Sequence, residues 1–207
     1  SDGNIFIPQV GKVYVAGFKL NDAINKIKNQ INQTLFRDSV ISLESVRDIQ
    51  ILMTGEISFP GIYTFNGNTN LLHAISMAGG ITENGSFREI LIKRDGKTIS
   101  EVDLYNALIF GDTSFRTSLR SGDSIYISIV KNLVRAGSGF NRPGLFEMKY
   151  GEKVADLANF AGGLKSDFIN SNNLLYLDRV GNDGTISSII DSLANINETE
   201  LENYDNL

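Results

Sequence analysis

Gly55-Glu56-Ile57-Ser58-Phe59-Pro60-Gly61-Ile62-Tyr63-Thr64-Phe65 returns later in the chain as Gly137-Ser138-Gly139-Phe140-Asn141-Arg142-Pro143-Gly144-Leu145-Phe146. Each copy leads into the same apolar stripe. Leu71, Ala74, Ile75 and Ala78 stand at i, i+3, i+4 and i+7 before Gly79-Gly80, and Val154, Leu157, Ala158 and Ala161 repeat that spacing 83 residues later before Gly162-Gly163. Motif, spacing and hydrophobic phase agree together, which identifies two copies of one small α+β unit.

The grammar of each copy is legible. A strand over 49–54 or 133–136 meets a loop closed by Pro60-Gly61 or Pro143-Gly144, opened in the first copy by Gly55. Proline fixes φ near about −65° and glycine accepts positive φ, so both dipeptides are expected to form turns into a second strand. The amphipathic helix that follows is stopped by Gly79-Gly80 or Gly162-Gly163, which supply the left-handed residue a helix terminus needs. Beyond it, Asp95-Gly96 and Asp183-Gly184 are hairpin signals. The first copy ends on Leu119-Arg120-Ser121-Gly122-Asp123 and the alternating run Ser124-Ile125-Tyr126-Ile127-Ser128. No such ending is visible in the second. Residues 191–207 carry five acidic side chains and no Lys or Arg, and read as a solvated tail or as a helix awaiting a missing strand.

Ahead of the repeats, residues 4–19 alternate as a β-hairpin or two short strands, and Leu20, Ala23, Ile24, Ile27, Ile31 and Leu35 mark one face of a helix. A strand is expected over 40–45. The resulting organisation is α+β: an N-terminal piece over 1–45, a first repeat over 46–130, and a second over 131–207 that stops before its last strand.

Composition removes several function classes. The chain has 207 residues, 42% of them apolar, which suffices for one to three units. The formal charge is −5, with Lys and Arg scattered. A nucleic-acid surface requires clustered positive charge, so no nucleic-acid partner is expected. The absence of cysteine removes disulfide frames and thiolate metal sites, yet suits a reducing compartment and a periplasm equally. No stretch approaches the roughly 20 apolar residues of a membrane span. Ser1-Asp2-Gly3-Asn4 is neither an initiator methionine nor a signal peptide, so the chain reads as trimmed at its front.

Catalytic chemistry has few candidates. The single histidine, His73, falls between the stripe positions of the first helix and is expected on its outer flank, with no oriented carboxylate beside it. One histidine, no cysteine and no Asp-x-Asp-x-Asp-Gly loop leave no dedicated metal site, so neither metal nor cofactor is expected. The run 137–142 imitates a phosphate loop, but Arg142 takes the third glycine position and Pro143 forbids continuing into a helix. What remains is contact surface. Phe59, Tyr63 and Phe65 gather at the first Pro-Gly, and Phe140, Arg142 and Phe146 at the second. The aromatics either pack the two small cores or stand exposed to meet a glycan or a neighbouring subunit.

These residues carry a family resemblance. The run Ile5 to Gly17, followed by an amphipathic helix, resembles the second half of the polysaccharide export motif domain, with Lys19 departing from the threonine often found there. The two Pro-Gly plus Ala-Gly-Gly units resemble tandem SLBB domains, the soluble-ligand-binding β-grasp module. In this order they resemble the periplasmic body of bacterial outer-membrane polysaccharide export proteins. The resemblance implies a homo-oligomeric ring attached to the outer membrane. It further implies a conduit for capsular or exopolysaccharide, an inner-membrane polysaccharide copolymerase as partner, and no catalytic residues. The family's lipidated cysteine and membrane helix have no counterpart within these residues. The rival reading is a β-grasp protein that captures a glycan or small ligand without forming a channel. An accessory domain of an enzyme ranks behind both.

Overall fold

Alternation over residues 4–14 closes as a hairpin in which β1 (Asn4–Ile7) pairs antiparallel with β2 (Gly11–Tyr14). The computed structural model describes residues 3–35, 40–41, 47–112, 118–171, 174–181 and 183–207. Within them the chain divides into two units, Ser1–Val46 and Arg47–Leu207. In the first, helix α1 (Leu20–Leu35) follows the hairpin. Ile27 is buried and Ala23, Ile24 and Ile31 are half-buried, as the stripe requires, whereas Leu20 stays exposed. The strand expected over 40–45 lies largely outside the described residues.

In the second unit, β3 (Asp48–Gly55), β4 (Gly61–Asn66), α2 (Leu71–Met77), β5 (Gly85–Arg94), β6 (Lys97–Val102), α3 (Tyr105–Phe110) and β7 (Ser124–Ile129) follow in order. The strands form one sheet, β4-β3-β7-β5-β6. β7 returns to its centre, parallel to β3 and antiparallel to β5. Period-2 alternation sends Ile51 and Met53 of β3, Ile90 and Ile92 of β5, and Ile125 and Ile127 of β7 to one face, where all are fully buried. Leu71, Ala74, Ile75 and Ala78, the predicted stripe, cover that face. The β5–β6 turn holds Asp95 at φ 50° and Gly96 at φ 75°, the paired positive values of a tight hairpin.

The second half repeats this plan with β8 (Leu133–Ala136), β9 (Gly144–Glu147), α4 (Val154–Phe160), an added helix α5 (Ser166–Ser171), β10 (Leu174–Val180) and β11 (Ile186–Ser192). Equivalence extends to single hydrogen bonds. Ser58 N donates to Gly80 O and Phe59 N to Ala78 O, both at 3.0 Å. At the same 83-residue offset, Asn141 N donates to Gly163 O and Arg142 N to Ala161 O, both at 2.9 Å. The isolated pairs Ile57↔Ile81 and Phe140↔Leu164 obey the offset too.

Two sequence expectations are corrected here. Gly61 and Gly144 do not take positive φ; they open β4 and β9, paired with Met53 and Ala136. A Cβ on Gly61 would meet only Tyr63, at 3.9 Å, so nothing in the structure explains the glycine.

The second correction concerns the missing last strand. Residues 204–207 run between β8 and β10, in the place β7 holds in the first half. Gly122 N donates to Gln50 O and Leu52 N to Asp123 O, at 2.9 and 3.0 Å; Tyr204 N donates to Leu133 O and Arg135 N to Asp205 O, both at 2.8 Å. An arginine clamp marks each start. Arg94 binds both carboxylate oxygens of Asp123 at 2.7 and 2.8 Å, and Arg179 those of Asp205 at 3.0 and 2.8 Å. Asp123 and Asp205 each also accept a backbone amide three residues earlier, from Arg120 at 2.7 Å and Glu202 at 2.8 Å. The acidic stretch is therefore packed rather than trailing. Leu201 is buried, Asp205 is wholly inaccessible, and Asp191 accepts from Asn195 and Thr199.

The helix-stopping glycines carry two distinct constraints. Gly79 and Gly80 sit at φ 84° and 86°, and a Cβ on Gly79 would fall 2.6 Å from the Phe59 ring while one on Gly80 would meet nothing. Gly80→Ala is expected to cost about 1 kcal/mol for its backbone alone, and Gly79→Ala more, in urea denaturation. The Asp123 clamp sets a pH dependence. Burial of Asp123 favours its neutral acid, but the Arg94 hydrogen bonds, the Arg120 amide and the neighbouring positive charges outweigh burial and hold the carboxyl below its ordinary value. Such a group stabilises the fold above the ordinary aspartate pKa, near about 4, and the contribution is lost as pH falls through the lowered value. Asp123→Asn is thus expected to lower stability at neutral pH by an amount that shrinks in denaturation experiments at progressively lower pH.

Candidate functional site

The two repeats meet at an irregularity in β5. Pairing with β7 shifts register between Gly85 and Ile90. Ser86 and Arg88, in phase with the buried Ile90 and Ile92, reach the second repeat from this stretch. Ser86 Oγ donates to Glu147 Oε1 at 2.5 Å and Phe87 N to Glu147 Oε2 at 2.8 Å, anchoring β9 to β5.

Arg88 is the centre of this junction, its side chain only 6% exposed. Nε donates to Asp103 Oδ2 at 3.0 Å, and the two terminal nitrogens reach Glu152 at 2.6 and 2.7 Å. One of them also donates to the Glu147 carbonyl at 3.0 Å. Its guanidinium lies 4.8 Å from the Tyr105 ring centre and 4.9 Å from that of Phe160, so one cation is held by carboxylates and aromatic faces of both repeats. Burial opposes the charge, but the Glu152 and Asp103 contacts more than offset it and lift the Arg88 pKa above its ordinary value. Glu147 differs. Burial raises its pKa, and the hydrogen bonds from Ser86 and Phe87 recover only part of that shift.

Helix α3 completes the junction. Tyr105 and Ile109, which belong to the first repeat in chain order, pack against the hydrophobic core of the second, and Tyr105 accepts the Glu147 amide at 2.7 Å. The repeats therefore share an interior rather than touching at a linker. Beside Arg88 a cleft of about 660 Å3 opens between them, bordered by Glu89 and Glu101 on one side and by Tyr150, Gly151 and the 200–203 segment on the other. Across the junction an apolar groove of about 400 Å3 is lined by Phe87, Leu108, Leu145 and Phe146.

The residues singled out from sequence fall into two groups. Phe65 and Phe140 are buried core side chains, and Tyr63 and Phe146 pack against the cores half-buried, so the aromatics at the Pro-Gly motifs mostly fill interiors. Phe59 and Arg142 are exposed, and the 83-residue offset makes them equivalent. Phe59 lies over Gly79, and Arg142 over Gly162 with Nε 3.0 Å from a Cβ there. Gly55 sits at φ 81° against the Ile127 carbonyl, which leaves no room for a Cβ. His73 is exposed, as its position predicts. In the phosphate-loop imitation, the amides of Phe140, Asn141 and Arg142 are already hydrogen-bonded internally. Among the described residues, no group of three His, Asp or Glu side chains could hold a metal ion, and no helix is long and apolar enough to cross a membrane.

Sequence reasoning missed Arg88, Asp103, Glu147 and Glu152. The available signal was Arg88 itself, a charge in phase with the apolar Ile90 and Ile92 of β5. Arg88→Ala leaves Glu152 without its cation, and Asp103 with Lys149 alone, in a largely dry site, and is expected to cost about 3–5 kcal/mol in denaturant unfolding. Because the arginine serves both repeats, amide exchange should accelerate in β9 and α4 as well as in β5.

Comparison with known proteins adds identity to this geometry. Residues 50–102, spanning most of β3 through β6, match the SLBB domain family. Two Escherichia coli proteins, both named polysialic acid transport protein KpsD, are 32% and 31% identical to the chain over 129 residues. Each match covers 60% of this chain and 23% of the relative, so it extends to about a quarter of the relatives' length. The chain is an α+β protein whose residues 50–102 match the SLBB domain family, and over 129 residues it is similar to polysialic acid transport proteins.

Proposed function

We propose that the chain is the periplasmic part of an outer-membrane polysaccharide export channel. In this reading, copies of the protein form a ring-shaped conduit for capsular or exopolysaccharide, and an inner-membrane polysaccharide copolymerase delivers the glycan. The 129-residue similarity to a polysialic acid transport protein carries the reading. The junction supports it physically. A double module locked through a buried arginine is a stiff building block, and stiff blocks with conserved spacing suit a closed heterologous assembly. A conduit needs shape rather than reacting groups, and the most buried charged side chains among the described residues, Arg88, Asp123 and Asp205, are engaged in structural pairs.

The test is genetic and physical. Deleting the gene in its source bacterium should stop polysaccharide reaching the cell surface while synthesis continues and product accumulates inside. Protein extracted from the envelope in detergent should run as a large ring by light scattering and electron microscopy, and should leave polysaccharide chains uncut. Unchanged surface polysaccharide, or a monomer in detergent together with glycan binding, would replace the channel with the glycan-capturing alternative.

A further inference from the structure

We propose that the cleft between the repeats is a saccharide subsite selective for uncharged, hydroxyl-rich glycan over acidic glycan. Its volume of about 660 Å3 lies within the range of small-molecule sites, about 300–1,000 Å3. Three observations define the ligand it fits. Asn132 lines the cleft, and its Oδ1 is the buried side-chain polar atom that lacks a hydrogen-bond partner among the described residues. Buried acceptors are almost always satisfied, so this one calls for a donor that the chain does not supply, either an internal water or a ligand hydroxyl met when the Asn132 amide turns toward the cleft. Tyr150 also lines the cleft and is fully exposed, next to Gly151 at φ 83°. A ring with an apolar face and a polar tip, held at the mouth of a polar cleft, suits the apolar face of a pyranose.

The third observation is charge. Every cation of the cleft is already taken: Arg88 by Glu152 and Asp103, Lys131 by Glu89 at 2.6 Å, and Lys149 by Asp103 at 3.2 Å. The carboxylates of Glu101 and Glu200 line the same cleft and make no hydrogen bond or ion pair among the described residues. The lining sets five glutamates, Glu89, Glu101, Glu147, Glu200 and Glu202, against these three cations, so the site offers acceptors in surplus and a net negative field to an anionic sugar. Sugar hydroxyls supply donors to Asn132, Glu101 and Glu200, whereas a carboxylate-bearing residue meets like charge. The carboxylates are too dispersed to make a metal site instead.

The choice of a saccharide rests on the export reading; the preference for an uncharged one rests on the cleft. The test uses the 207-residue chain labelled with 15N, titrated to millimolar concentration with maltopentaose, laminaripentaose and mannopentaose, and with tetrameric α2,8-linked sialic acid as the acidic comparison. At least one neutral oligosaccharide should shift amides around Asn132, Tyr150 and Glu200, and bind about tenfold or more tightly than the sialic acid tetramer. Asn132→Ala and Tyr150→Ala should each remove those shifts, and Tyr150→Ala, at a fully exposed position, should leave thermal unfolding unchanged. The proposal is overturned if no neutral sugar moves the cleft amides, if the acidic tetramer binds as well, or if the shifts survive both substitutions. A null titration combined with an export defect in the gene deletion would remove this subsite alone. Cleft binding combined with normal export would remove the channel alone.

Discussion

One guanidinium makes a single body out of two repeats. Arg88 leaves the first sheet at a bulge and reaches a carboxylate, a carbonyl and an aromatic face belonging to the second repeat. Removing an arginine from water is favourable only where several acceptors surround it. That requirement fixes where β9, the start of α4 and the 103–105 segment must stand. Asp103 and Glu152 meet on Arg88, Lys149 adds a second cation on Asp103, and Tyr105 turns its ring to Arg88 and its hydroxyl to the Glu147 amide. The cleft and the apolar groove are what this geometry leaves open on either side.

The repeat was legible in the sequence because it is written in features that local physics enforces. A helix stripe at spacing three and four, stopped by paired glycines after a Pro-Gly motif, survives in both copies, and the hydrogen bonds follow it residue for residue. The closing segment of the second copy was not legible. Gly122 of the first copy is replaced by Tyr204, held at φ 67°, and Asn206 and Leu207 stand where Ser124 and Ile125 of the alternating run stand in the first. The one retained signal is an aspartate 26 residues beyond its arginine, a pairing that exists only in three dimensions. The choice between core and contact for the aromatics at the Pro-Gly motifs stayed open in the sequence for a related reason. A phenylalanine beside a turn looks the same in sequence whether it points into a small core, as Phe65 and Phe140 do, or away from it, as Phe59 does.

The junction residues were hidden for a third reason. Arg88, Glu147 and Glu152 read as ordinary surface charges in strands and loops, because charge at an alternating position normally faces water. In β5 the charge stands in phase with the buried Ile90 and Ile92, and acceptors from the second repeat let it stay inside. Duplicated modules are prone to this blind spot: each copy resembles the other wherever it folds alone, and departs where it serves the pair.

The place of β7 also separates two meanings of the word domain. The stretch that is similar to other SLBB domains ends at residue 102, yet the strand at the middle of its sheet is contributed by Ser124–Ile129. A peptide excised at the limits of sequence similarity would expose the ladder edges of both β3 and β5 and leave Arg94 without Asp123. The matched stretch and the closed sheet are therefore different lengths of chain. Dissecting this protein into working parts has to follow the closure of the sheet rather than the boundaries of resemblance.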